Sequence, residues 1–189
     1  MEETPRWEYR CWTNRTHAQS LFAGNWQASP VEHRQDLYLI GPDTTFMPKL
    51  RDGAKFEIKR LLQTRSGMEL WAPYLSASLP HMPDSSDQLA AAAMQIFQNA
   101  RQPADFFRIA AGAEHWIAVP VDKSRRLFSL DDLRCEVTRV TVAEKQYWTF
   151  AAETAEFSAL VQLVEKLQLQ HLPNVNYRNF LIDKYRFDS

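Results

Sequence analysis

Six stretches of this chain place charged or polar side chains at every second position. Arg6, Glu8 and Arg10 alternate with Trp7, Tyr9 and Cys11. The same spacing holds for Lys49 and Arg51, for Lys55, Glu57 and Lys59, and for Lys123 and Arg125. It returns in Arg134, Glu136 and Thr138, and in Thr149 and Glu153, which share a face with Ala151 between them. A period of two belongs to the extended strand, whose successive side chains point to opposite faces. Guanidinium forks and ammonium groups arrayed along such faces match the oxygens of phosphate. The glutamates among them would make poor phosphate contacts, but they suit a divalent cation that bridges phosphates. Two arrangements are open. Solvated outer faces of antiparallel sheets ordinarily show this alternation. A sheet curled with its apolar face outward, covered by helices and loops, would instead enclose a basic, carboxylate-studded cavity.

The elements that must position these residues can be read in order. Strands are predicted over Arg6–Trp12, Arg34–Ile40, Phe46–Arg51, Lys55–Leu62 and Met68–Trp71. Asp52-Gly53 between two of them is a strong hairpin signal. Residues 13–31 and 72–86 read as irregular, the second rich in Pro and Ser. Ser85 and Gln88 have capping-box spacing, and Leu89, Ala93, Ile96, Phe97 and Ala100 follow at helical spacing. A second short helix over 104–112 would stop at Gly112. Strands return over His115–Leu130, with Pro120 marking an edge or bulge, then Leu133–Val142 and Lys145–Glu153. Thr154 is predicted to cap a helix buried through Phe157, Leu160, Val161, Val164 and Leu167. A last helix, Asn176–Arg186, turns Tyr177, Phe180, Leu181 and Tyr185 to one side. The count is about eight strands, mostly antiparallel, with helices to cover them. This predicts an α+β fold: an antiparallel eight-stranded tunnel-like β-barrel with packed helices.

Composition bounds the function. The chain has 189 residues, with 22 Lys and Arg against 23 Asp and Glu, a net charge of −1. That argues against a globally basic nucleic-acid binder, though not against local segregation of charge. Hydrophobic residues at 45% and charged residues at 24% are those of an ordinary globular domain with a sizeable core. No apolar run reaches the length of a membrane span, and the first residues lack a signal-peptide core, so the expected location is the cytoplasm. Cys11 and Cys135 read as buried thiols. His17, His33, His81, His115 and His171 show no metal-ligand spacing, and neither a Gly-x-Ser-x-Gly elbow nor a Gly-x-x-x-x-Gly-Lys phosphate loop occurs.

Glu8-Tyr9-Arg10 resembles the latter part of the Glu-x-Glu-x-Lys signature of the CYTH family, the triphosphate tunnel metalloenzymes. Asp36-Leu37-Tyr38-Leu39 looks like its next strand. Lys49-Leu50-Arg51-Asp52-Gly53 with Phe56-Glu57-Ile58-Lys59 is similar to its paired basic strands. Asp122-Lys123-Ser124-Arg125-Arg126, Cys135-Glu136-Val137, Phe150-Ala151-Ala152-Glu153 and Asn176-Tyr177 resemble later elements. The resemblance implies one domain over 1–189, with a helical insertion around 85–112, that binds a small phosphorylated ligand with Mg²⁺ or Mn²⁺. It implies a metal-dependent phosphohydrolase of the triphosphatase type, acting on an acid anhydride in tripolyphosphate, thiamine triphosphate or a nucleoside triphosphate.

In that reading Arg10, Lys49, Arg51, Lys59, Lys123 and Arg125 hold phosphate oxygens. Glu8, Glu136 and Glu153 hold the metal or orient water, and Glu8 and Lys59 take catalytic roles. Lys55 and Glu57 suit a structural ion pair as well as a substrate contact. The chain departs from the signature at Arg6, which stands where its first Glu is expected, and at Arg10, which replaces its Lys. Arg134 and Thr138 flank Glu136 where paired acids are common. These departures favour the alternative, a non-catalytic binding protein for a phosphorylated ligand or polyanion in the same fold. A third possibility is an ordinary sheet with wet faces and an interface on its aromatic surface.

Overall fold

In the computed structural model, which describes residues 4–21, 26–79, 97, 99–130 and 132–187, all six alternating stretches are strands. The strands are β1 (Arg6–Thr13), β2 (Gln27–Ala28), β3 (Glu32–Ile40), β4 (Phe46–Arg51), β5 (Lys55–Arg65), β6 (Met68–Ser78), β7 (Ile117–Leu130), β8 (Leu133–Val142) and β9 (Lys145–Thr154). The helices are α1 (Arg15–Ser20), α2 (Pro103–Gly112), α3 (Phe157–Lys166) and α4 (Tyr177–Phe187). Hydrogen bonding links the strands in the order β2-β7-β3-β4-β5-β6-β1-β9-β8, and β7 also pairs with β8. Eight strands therefore close into an antiparallel barrel, with β2 as a ninth outside it. The fold class expected from the sequence is the one found.

Tight turns set the registers. Asp52 and Gly53 both have positive φ, 48° and 66°, and carry the chain from β4 to β5 so that Lys49 pairs with Glu57 and Arg51 with Lys55. The Asp52 carboxylate accepts the Gln35 backbone N–H at 2.8 Å, which fixes the turn against β3. Between β8 and β9 the turn falls on Ala143 and Glu144, with φ of 46° and 66° in residues that have a Cβ to accommodate.

The chain forms two compact units: Met1–Arg34, Leu61–Ala72 and Asp122–Ser189 in the first, Gln35–Arg60 and Pro73–Val121 in the second. In the first, Trp7, Tyr9 and Cys11 of β1 and Cys135, Val137, Phe150 and Ala152 of β8 and β9 form one apolar face. Leu160, Leu163 and Val164 of α3 cover it. Both cysteines are free and buried there, and burial pushes the Cys11 thiol up to about 11 and Cys135 to about 12. In the second unit Leu37, Leu39, Leu50, Phe56 and Ile58 pack against Phe97 and against Phe106 and Ala110 of α2. Each fully buried Phe or Leu contributes roughly 1.5–3 kcal/mol.

Several local expectations are revised. The segment 13–31 holds α1 and β2, and β6 runs on through Pro73 to Ser78 rather than ending at Trp71. Thr154 ends β9 and its hydroxyl accepts the Glu156 N–H, but the residue before the first turn of α3 is Glu156. The short helix expected to stop at Gly112 does so: Gly112 is the last residue of α2, and the chain leaves through an extended Ala113. The capping box at Ser85 and Gln88 and most of the helix after it lie outside the described residues. Among the described residues no helix is long and apolar enough to cross a membrane.

Candidate functional site

Register places the charged residues of the first unit in rows. Glu8 lies between Glu69 of β6 and Glu153 of β9. One step along, Arg10 pairs with Ala151, which pairs with Glu136 of β8. Arg125 of β7 pairs with Thr138, which pairs with Thr149. All of these lie on the face that α3 does not cover; Glu8, Arg10, Thr138 and Thr149 are buried there with Lys123, while Arg125, Glu136 and Glu153 are partly exposed. The wet-face arrangement therefore does not hold around Arg10 at the middle of this face, although Arg134 near its edge is exposed.

Arg10 is the centre of the cluster. Its Nε and Nη2 donate to Glu8 Oε1 at 3.2 and 3.1 Å, and its Nη1 lies 2.9 Å from Glu136 Oε1. The other Glu136 oxygen is 3.5 Å from Nη1 of Arg125, whose Nε and Nη2 donate to Glu32 Oε2 at 3.0 and 2.8 Å. An ion-pair ladder thus runs Glu8–Arg10–Glu136–Arg125–Glu32. Burial alone would raise the Glu136 pKa; Arg10, then Lys123, Arg125 and Arg34, more than reverse this and hold it at about 2. Glu136 is an anion fixed by surrounding cations.

The start of α4 completes this side. Asn176 caps the helix by accepting the Asn179 N–H, and its amide donates to Glu69 Oε1 at 2.9 Å. Tyr177 follows with its ring beneath two cations, Lys123 Nζ at 3.7 Å and the Arg10 guanidinium carbon at 4.5 Å from its centroid. The preceding segment is tied to β1: the Arg10 N–H donates to Asn174 Oδ1, and the Arg10 carbonyl accepts from Val175. Glu69 also accepts from Trp71 Nε1 at 3.0 Å. Burial first, and then the nearby Glu8 charge, push its pKa up despite these bonds and the Arg10 charge.

The second unit carries its own cluster. Glu57 lies 2.8 Å from Arg51, 3.0 Å from Lys55 and 3.6 Å from Lys49. Burial opposes its ionisation, and Lys49, Lys55 and Arg51 together outweigh burial and hold its pKa low. Lys59 is half-buried on the same face, and Asp36 and Tyr38 of β3 pair with Arg51 and Lys49. Lys49, Arg51, Lys55 and Lys59 against the carboxylates of Glu57 and Asp36 leave net positive charge for an anion.

Of the residues predicted from sequence, the first unit brings together Glu8, Arg10, Lys123, Arg125 and Glu136, and the second brings together Lys49 and Arg51, with Lys59 on the same face. Glu153 stands apart from the ladder: its partner is Arg134, at 3.9 Å, and the pair is partly exposed. Sequence reasoning missed Glu69, Glu32, Arg34 and the role of Asn176 and Tyr177. Glu69 is the only acid on its strand, the one signal that could have found it.

The proposed metal ligands do not fit a divalent cation as they stand. Glu8 and Glu136 each hold a guanidinium, Glu153 lies with Arg134, and a metal would have to sit beside the positive charge of Arg10. Among the described residues no group of three or more His, Cys, Asp or Glu side chains is placed to hold a metal ion.

No protein-family model matches the chain, and no curated protein matches its sequence. Solved structures do match. The PH1012 protein of Pyrococcus horikoshii is 15% identical with a TM-score of 0.60, over 92% of this chain and 97% of that one. A candidate adenylate cyclase from Bacillus halodurans is 13% identical with a TM-score of 0.55, over 96% of both chains. A candidate adenylyl cyclase from Hippeastrum, described as having a dominant triphosphatase activity, is 9% identical with a TM-score of 0.53, over 96% of both. At such identities the likeness establishes the fold alone. The fold that the CYTH resemblance implies is the fold this chain has.

Proposed function

We propose that the protein binds a triphosphate-containing compound and cleaves its terminal anhydride, as a triphosphatase-type hydrolase. The observation that carries this reading is the placement of the buried Arg10 and Lys123, with the partly exposed Arg125, around Glu136 in the first unit. Burying cations is costly unless they are paired, and a set in which cations surround a carboxylate is suited to a polyanion. Such groups would hold the equatorial oxygens and stabilise the charge that develops as water attacks phosphorus and the anhydride oxygen leaves. Lys49, Arg51 and Lys59 are the phosphate-binding groups of the second unit. The triphosphatase activity described for the Hippeastrum neighbour lends support, since that protein shares the fold.

A second reading, binding without turnover, is favoured by Arg6. It stands where the family signature has an acid, and its Nη1 is buried with no hydrogen-bond partner among the described residues. The experiment is phosphate release from tripolyphosphate, thiamine triphosphate and ATP, with and without Mg²⁺ or Mn²⁺, beside calorimetric binding of each compound. Release supports the hydrolase. Binding without release selects the second reading, and neither binding nor release by folded protein removes both.

A further inference from the structure

Resting on that reading, we propose that the anion is held by protein-borne cations alone. Arg10 stands in for a divalent cation, so polyphosphate binding by this chain requires no Mg²⁺ or Mn²⁺. A metal in a phosphate site draws carboxylates from different strands together and presents positive charge to the ligand. Arg10 does both here. It joins Glu8 of its own strand to Glu136 of β8, through contacts of 3.1 and 2.9 Å. The side chains concerned are only 8%, 11% and 16% exposed for Arg10, Glu8 and Glu136, so the pairing is shielded from water.

Three further observations agree. Arg125 repeats the motif, joining Glu136 to Glu32. Lys123 and Arg10 share the Tyr177 ring, whose negative face favours holding both cations close together. Ala151, directly paired with both Arg10 and Glu136, has a side chain small enough to let the guanidinium pass over it. A divalent cation added to this cluster would have to displace Arg10 from its carboxylates and then lie against it.

The test is calorimetry of the full chain with sodium tripolyphosphate, once in EDTA and once in excess MgCl₂. We expect binding in EDTA at least as tight as in magnesium, which also complexes the ligand in solution. Arg10→Lys keeps the charge but loses the fork, and should weaken binding in EDTA by about tenfold. Lys123→Gln, a second variant should Arg10→Lys fold poorly, should weaken it similarly. Electron paramagnetic resonance of Mn²⁺ mixed with the anion-free protein should show only the free ion. Binding of tripolyphosphate seen only with a divalent cation, or stoichiometric Mn²⁺ uptake, overturns the inference and leaves the proposed function intact. Binding in neither condition overturns the proposed function itself.

Discussion

Arg10 Nη1 reaches Glu136 Oε1 at 2.9 Å by crossing a whole strand, and the residue it crosses is Ala151. The contact therefore depends on a side chain that takes no part in it. Ala151→Leu should block the passage. Overpacking of a buried position costs typically about 1–3 kcal/mol, which chemical denaturation would read. Tripolyphosphate binding should fall with it, while Ala151→Gly should retain binding.

Acid should undo the cluster in a defined window. The Glu136 carboxyl has a pKa of about 2 when folded, against 4.5 ordinarily. A depressed folded value means stability that is present above about pH 4.5 and lost as pH falls toward 2, on the order of 3 kcal/mol in all. Glu136→Gln should be less stable than the parent at pH 7 and approach it as pH falls to about 2. Parallel stability curves over that range would refute the assignment.

The β8–β9 hairpin invites improvement. Ala143 and Glu144 are exposed and both sit at positive φ, where Asn and Gly are at ease. The double variant Ala143→Asn, Glu144→Gly should gain about 1 kcal/mol and raise the melting temperature without changing ligand binding.

Gly41 should tolerate nothing larger. A Cβ there would lie 2.5 Å from Cζ2 of Trp116, well inside contact distance. Gly41→Ala should lower stability by about 1–3 kcal/mol and shift tryptophan fluorescence as the indole is displaced.

Most of the barrel was legible because alternation is a strong signal wherever one face is apolar: Trp7, Tyr9 and Cys11 against Glu8 and Arg10 specify β1 unaided. The extension of β6 was not legible, since Pro73 reads as a break and only tertiary pairing overrides it. Within the cluster, the residue types at Arg10, Lys123, Arg125 and Glu136 were visible, but their pairing was not. Which carboxylate an arginine meets depends on what stands between, as with Ala151, and on strand closure. The placement of Tyr177 beneath two cations was hidden for the same reason: nothing in the last helix announces which face of the barrel its first turn will meet.

The row Glu69–Glu8–Glu153 has a bearing on how the chain finds its native pairing. Like charges directly opposite in a sheet oppose the register that brings them together. The pairing of β1 with its neighbours must then be chosen by the other face, through Trp7, Tyr9, Phe150 and Ala152. A sheet selected only for folding would not retain such a row. It is local frustration, tolerated where the landscape is shaped by a task other than stability, and it marks β1 as the strand on which the two demands conflict most directly.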